Sequence, residues 1–142
     1  MSASNPFGVE IPFVELLGFE MVRMAGGESE LRYLPRREHT NSFGVTHGGA
    51  VMTLLDVTLA TAARSIDLEI GVVTIEMKTT FMRPANGQLT GKGRLMHRTK
   101  SIAFVEGTIY DAEGRACAHA TGTFKYVQRP APTAPGNVIS TD

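Results

Sequence analysis

Cysteine occurs once in this chain of 142 residues, at Cys117, so no disulfide can close within it and no thiolate cluster is available to a metal. Lying in an alternating segment, Cys117 reads as a small, partly buried core residue. Surplus charge is missing too. Lys and Arg together number 14, as do Asp and Glu, so no net field draws the protein to nucleic acid or to an anionic membrane. No apolar run approaches the ~20 residues of a membrane-crossing helix; the candidate at 50–63 is too short and too rich in Thr. The opening stretch, MSASNPFGVEIPF, has no basic region ahead of a long apolar run, and no secretory signal is expected. A glycine pair, Gly26-Gly27, lacks the later Gly-Lys-Ser/Thr of a phosphate loop. These absences lead to the expectation of one cytoplasmic domain, with neither nucleic acid nor membrane as partner.

What the chain does contain is a nearly uncharged run, AVMTLLDVTLATAA, from Ala50 to Ala63, whose one charge is Asp56. A helix without a charged face is buried on most sides, and a carboxylate inside it needs a partner or a use. A neighbouring Thr or a water would satisfy it as a purely structural residue. The run is introduced by Asn41-Ser-Phe-Gly44-Val-Thr-His47-Gly48-Gly49. A helix starting there presents free backbone N–H groups and the positive end of its dipole to any developing negative charge. At 1.5 Å per residue, His47 and Asp56 stand roughly 13 Å apart along the axis and cannot serve one reacting atom. A two-fold dimer with antiparallel helices removes the conflict, because the helix start of one copy then faces the mid-helix carboxylate of the other.

Around this helix, expected over Gly48 to Ser65, the pattern is that of strands. A short amphipathic segment lies at Pro12 to Leu17. A hairpin follows, from Phe19 to Met24 and Ser29 to Leu34, turning at Ala25-Gly26-Gly27. Pro35 to Phe43 reads as a solvated loop. Four further strands are expected at Val72 to Met82, Leu89 to Met96, Ile102 to Tyr110 and Arg115 to Val127, with turns at Pro84-Ala-Asn-Gly87 and Asp111-Ala-Glu-Gly114. Strict alternation in the first of these puts Val73, Ile75, Met77, Thr79 and Phe81 on one face and Thr74, Glu76 and Lys78 on the other. Two strands, a buried helix and four strands joined by short turns imply an α+β fold, a single curved antiparallel sheet wrapped around the helix. The domain is expected over 1–127. The proline-rich remainder, 128–142, is expected to be a flexible tail.

The set Asn41-x-x-Gly44-x-x-His47-Gly48-Gly49, with Asp56 nine residues after the His and a later Gly71-Val-Val-Thr-Ile-Glu-Met-Lys-Thr-Thr-Phe-Met-Arg-Pro-Ala85, resembles the hotdog-fold acyl-CoA thioesterases of the phenylacetic-acid-degradation type. The likeness spans roughly residues 10 to 127. It implies the hotdog fold, a homodimer joined edge to edge, commonly paired again into a homotetramer, and an acyl-CoA substrate. No separate cofactor is implied, since coenzyme A is part of that substrate. Asp56 would be the general base or the nucleophile, with Gly48 offering its backbone N–H to the thioester oxygen. Gly49 would be structural, letting the helix pack closely on the sheet. Asn41 would present its amide to substrate or water, although an Asn before a turn also serves as a local cap. His47 would line the site. Thr74 matches a hydroxyl that positions the attacking water beside the carboxylate. Arg83, Arg98, Lys100 and Ser101 are placed to meet the phosphates of coenzyme A.

The equipment suits a thioester. A leaving thiol with a pKa near 8.5 departs without a strong general acid, and an amide would need one. Two alternatives stand beside hydrolysis. A hotdog hydratase or dehydratase would pair its Asp and His in the strand-to-helix loop, whereas this carboxylate is displaced to mid-helix. A non-catalytic acyl-thioester binding module would hold Asp56 as structure only. Phe43, Leu55, Leu59 and Phe81 are candidates for the acyl pocket or for the core.

Overall fold

The computed structural model describes residues 5–130, so of the tail expected over 128–142 all but 128–130 lies outside the described residues. A six-residue helix, α1 (Pro12–Leu17), precedes the hairpin of β1 (Glu20–Ala25) and β2 (Glu28–Tyr33). One turn of 3-10 helix at Arg37–His39 leads to the long helix α2 (Gly48–Arg64), which is followed by β3 (Ile70–Phe81), β4 (Leu89–Arg98), β5 (Ile102–Tyr110) and β6 (Ala116–Gln128). The strands form one antiparallel sheet in the order β1-β2-β4-β5-β6-β3, curved around α2. The first hairpin turns through Gly26 and Gly27, both at positive φ (62° and 85°), the pairing that a two-residue turn matching strand twist requires.

Proline at the first helical position and Gly18 in the left-handed region, its N–H bonded to the Val14 carbonyl, define α1 at both ends. The inward face of α2 is Leu54, Leu55, Thr58, Leu59, Ala62 and Ala63, each with no exposed surface. Each buried Leu contributes about 1.5–3 kcal/mol of apolar transfer. Leu55 and Leu59 are therefore core, and of the four acyl-pocket candidates only Phe43 and Phe81 reach the surface. The hydroxyls of Thr58 and Thr61 bond back to the carbonyls of Leu54 and Val57, so neither disturbs the apolar face.

The close approach of helix to sheet comes from a patch of sheet glycines rather than from Gly49. A Cβ added at Gly91 would lie 2.5 Å from the Thr58 hydroxyl, one at Gly93 2.6 Å from the Thr58 carbonyl, and one at Gly107 2.6 Å from Leu59. A Cβ at Gly49 would instead meet the His47 ring. The seat of the helix is thus cut into strands β4 and β5, where glycine alone leaves room for it.

At its far end, α2 is pinned by Tyr126, which donates to the Ala63 carbonyl at 2.9 Å, and by Arg64. Arg64 is 3% exposed and donates to the Phe7 carbonyl. Burial, with Arg129 nearby, lowers its pKa to about 10. A basic residue in the last turn suits the negative end of the helix dipole, and here it is also a buried clamp on the N-terminal segment.

The two edges of the sheet differ. β1 is short and carries Glu20 and Arg23, whereas β3 is twelve residues long, with Ile75 and Phe81 more than half exposed. A long, apolar, unpaired edge is a template for another strand.

Candidate active site

Strand β3 does not alternate strictly. Its register with β6 slips between Thr74 and Glu76, leaving Ile75 as a bulge. Thr74 pairs with Phe124, Met77 with Gly122 and Thr79 with Ala120, all on the helix side, while Glu76 and Lys78 pair with Thr123 and Thr121 on the outer face. The face predicted for Thr74 is corrected accordingly: the extra residue turns it inward, away from Glu76 and Lys78. There its hydroxyl donates to the Asp56 carboxylate at 2.6 Å.

Asp56 accepts that one hydrogen bond and is half-buried on the open side of α2. Burial pushes its pKa above the ordinary carboxylate value, and the Thr74 hydroxyl draws it partly back. Among the described residues the carboxylate is the one charged group in a groove of about 500 Å³ whose apolar walls are Ile11, Phe13 and Val14 from the α1 segment, Met52 and Val57 from α2, and Met77 from β3. Sequence reasoning had not found these wall residues. The signal was present in the amphipathic α1 segment, which leaves Phe13 54% exposed beside the carboxylate.

Eight residues earlier, the start of α2 is built as a donor site. His47 is the N-cap, its Nδ1 accepting from the Gly49 N–H at 2.8 Å, which leaves the ring proton on Nε2 when the ring is neutral. Its own N–H donates to the His39 carbonyl. Among the described residues the Gly48 N–H has no acceptor, and Gly48 lines a cleft of about 190 Å³ together with Asn41, Phe81, Arg83 and Cys117. Asn41 folds the preceding loop, its Oδ1 accepting from the N–H groups of Phe43 and Val45, and its amide nitrogen makes no bond there. Arg83 donates one guanidinium bond to the Ala116 carbonyl at 2.8 Å.

Two clusters result. Gly48, His47, Asn41 and Arg83 gather at the start of α2, and Asp56 and Thr74 stand further along, about 12 Å away by helix rise. Lys100 and Ser101 lie in the β4–β5 turn, where the Ser101 carbonyl accepts from the Tyr126 N–H, in line with Val72 at the other end of β3 from Arg83. Arg98 stacks its guanidinium over the Tyr126 ring, 4.5 Å from the centroid. Within one copy, the four residues assigned to coenzyme A phosphates are therefore divided, with Arg83 at one end of β3 and Arg98, Lys100 and Ser101 at the other. Among the described residues, no three His, Cys, Asp or Glu side chains are grouped to hold a metal, and no helix is long and apolar enough to cross a membrane.

Comparison with known proteins agrees with this architecture. Residues 43–118, which include Gly48, Asp56, Thr74, Arg83, Lys100 and Ser101, match the thioesterase superfamily. A protein of Saccharolobus solfataricus with the name "Putative esterase" is 30% identical over 109 residues, 76% of this chain and 73% of its own. Among solved structures, a thioesterase family protein from Silicibacter pomeroyi is 27% identical with a TM-score of 0.79, covering 84% of this chain and 91% of its own. A phenylacetic acid degradation-related protein from Ralstonia eutropha is 25% identical with a TM-score of 0.76, covering 85% of this chain and 99% of its own. The match over more than half the chain, on this sheet and helix, shows that the protein belongs to the thioesterase superfamily and has the hotdog fold, similar in structure to the phenylacetic acid degradation-related protein.

Proposed function

We propose that the protein hydrolyses acyl-CoA thioesters to the free acid and coenzyme A, with Asp56 as the catalytic carboxylate. The observation that carries this reading is the state of that side chain. A carboxylate at the base of an open apolar groove, with one hydroxyl partner and a raised pKa, is poised to take a proton from water or to attack a carbonyl. Acting as general base, Asp56 removes a proton from water held beside the Asp56–Thr74 pair. The hydroxide equivalent adds to the thioester carbonyl, and the tetrahedral oxyanion collapses with loss of the coenzyme A thiolate. Attack by Asp56 itself would give a mixed anhydride that water then opens, with the same products.

The oxyanion needs a donor, and the Gly48 N–H is unengaged and sits at the positive end of α2. In this reading it comes from a second copy. Pairing of two β3 edges about a two-fold axis runs the strands antiparallel, bringing the Arg83 end of one sheet toward the Lys100 end of the other. The exposed Ile75 and Phe81 on that edge favour such cover. One site then holds Gly48, Asn41, His47 and Arg83 from one copy with Asp56, Thr74, Lys100 and Ser101 from the other. Arg83, Lys100 and Ser101 are in this reading the contacts to the nucleotide phosphates. Two such dimers pairing again would give the homotetramer.

Hydrolysis of a panel of aromatic and aliphatic acyl-CoAs, followed as free thiol, tests the reading. Turnover by the wild type that is lost in a folded Asp56→Asn supports it. A wild type that binds acyl-CoA and turns over none of the panel overturns it in favour of a binding module.

A further inference from the structure

Behind the wall of the Asp56 groove lies a second groove of about 460 Å³, between α1 and β1. Phe7, Val9, Phe19 and Met21 line it, and it shares two residues with the first groove, Ile11 and Val14. Both lie in the α1 segment, which is fixed in place. The Gly18 and Phe19 N–H groups bond the Val14 carbonyl, Arg36 donates to the Leu16 carbonyl at 3.0 Å, and Val14 and Leu17 are in the core. Ile11 is the less anchored of the two. It is the N-cap residue, partly buried, with extended backbone (φ −127°, ψ 96°) and no side-chain capping bond.

We propose that Ile11, backed by Val14, is the partition that sets acyl length: a chain whose thioester lies at Asp56 fills the first groove and stops at Ile11, and the groove beyond is a second acyl compartment. This rests on the reading of Asp56 as the thioesterase carboxylate. Among the described residues the charged groups of the second groove are Glu15 and Glu20, both acids, which disfavour a fatty carboxylate or a phosphate there and favour a neutral hydrocarbon tail as its occupant. With the partition intact, the enzyme prefers aryl and short-to-medium acyl groups. With it removed, the two spaces join and longer chains gain apolar contact.

The test compares kcat/KM for dodecanoyl-CoA with that for hexanoyl-CoA, in the wild type, Ile11→Ala and Ile11→Phe. Each further buried methylene is worth about fourfold in kcat/KM, so opening the partition raises the dodecanoyl to hexanoyl ratio by at least about tenfold, and Ile11→Phe lowers it. Binding to the Asp56→Asn background reads the same partition without turnover. There, adding Ile11→Ala tightens dodecanoyl-CoA binding by about tenfold or more. Ratios unmoved in both variants, with hydrolysis still dependent on Asp56, overturn the partition and leave the catalytic reading intact. Unchanged affinity in the double variant overturns it equally. Acyl-CoA hydrolysis that survives Asp56→Asn overturns the catalytic reading instead. If Ile11→Ala does not fold, Ile11→Phe alone decides, since a filled partition must cut the longer chain more than the shorter.

Discussion

Two aspartates of this protein lie out of full contact with water and are treated in opposite ways. Asp111, 5% exposed, begins the β5–β6 turn. It accepts from the N–H groups of Glu113 and Arg115 at 3.0 and 2.9 Å and from the Arg115 guanidinium at 3.1 Å. Those bonds, the Arg115 N–H foremost, hold its pKa below the ordinary carboxylate range. Asp56 has one hydroxyl for company and a pKa moved the other way. A carboxylate that serves structure is saturated with donors, so its basicity falls. Asp56 is left short of them, which fits the catalytic role proposed for it, since its lone pairs stay available to water or a carbonyl.

The sharpest test of that contrast is activity. On the proposed reading Asp56→Asn removes the base and is expected to lower kcat by about 10²–10⁴-fold, while Asp111→Asn leaves the chemistry in place and acts on folding; thiol-release kinetics on both variants separate the roles. Next in size is the donor. Gly48 occupies the first position of α2, and His47 before it has φ −60° and ψ 139°, a geometry compatible with a following proline. Gly48→Pro therefore keeps the helix but deletes the free N–H, and kcat is expected to fall about 10²–10³-fold with little change in melting temperature. Thr74→Val takes away the one hydrogen bond to Asp56, costing about tenfold in kcat and moving the acid limb of the pH–rate profile to still higher pH.

The smallest effect is on stability, and here the two aspartates have opposite signs. Asp56 has a raised folded-state pKa, so its ionised form is a liability to folding that develops as pH rises from the ordinary carboxylate value through the raised one. Asp56→Asn should raise the melting temperature at neutral pH and not at acid pH. Asp111 has a depressed pKa, and its contribution is present above the ordinary value and lost as pH falls through the lowered one. Asp111→Asn should lower the melting temperature at neutral pH, with the deficit closing in acid. Two melting curves against pH that move in the same direction would break the comparison.

Much of this was legible in the chain. The α1 segment, the hairpin, the central helix and the four later strands lie within two residues of their predicted bounds, because turn glycines and apolar periodicity mark them. The pairing of Asp56 with Thr74 followed from the motif resemblance, not from periodicity. VTIEMK, from Val73 to Lys78, alternates without a break, and a bulge at Ile75 leaves no trace in such a pattern, so the face of Thr74 differs from the one it predicts. Gly91, Gly93 and Gly107 read as weak points in strands, and their purpose appears only when Thr58 and Leu59 are seen against them. The wall formed by Ile11 and Phe13 was hidden for a related reason: it depends on where α1 lands on α2, a tertiary contact that no local pattern encodes.

In the proposed site Asp56 and the Gly48 N–H, too far apart on one helix, meet across two copies of the chain. The measurement that tests this most directly is thiol release by a mixture of Asp56→Asn and Gly48→Pro subunits, unfolded together and refolded. Each variant alone is nearly inactive, but every mixed dimer holds one site with both groups native, so an equal mixture recovers about a quarter of the wild-type rate. A mixture that forms mixed dimers and stays as inactive as its parents would contradict the shared site.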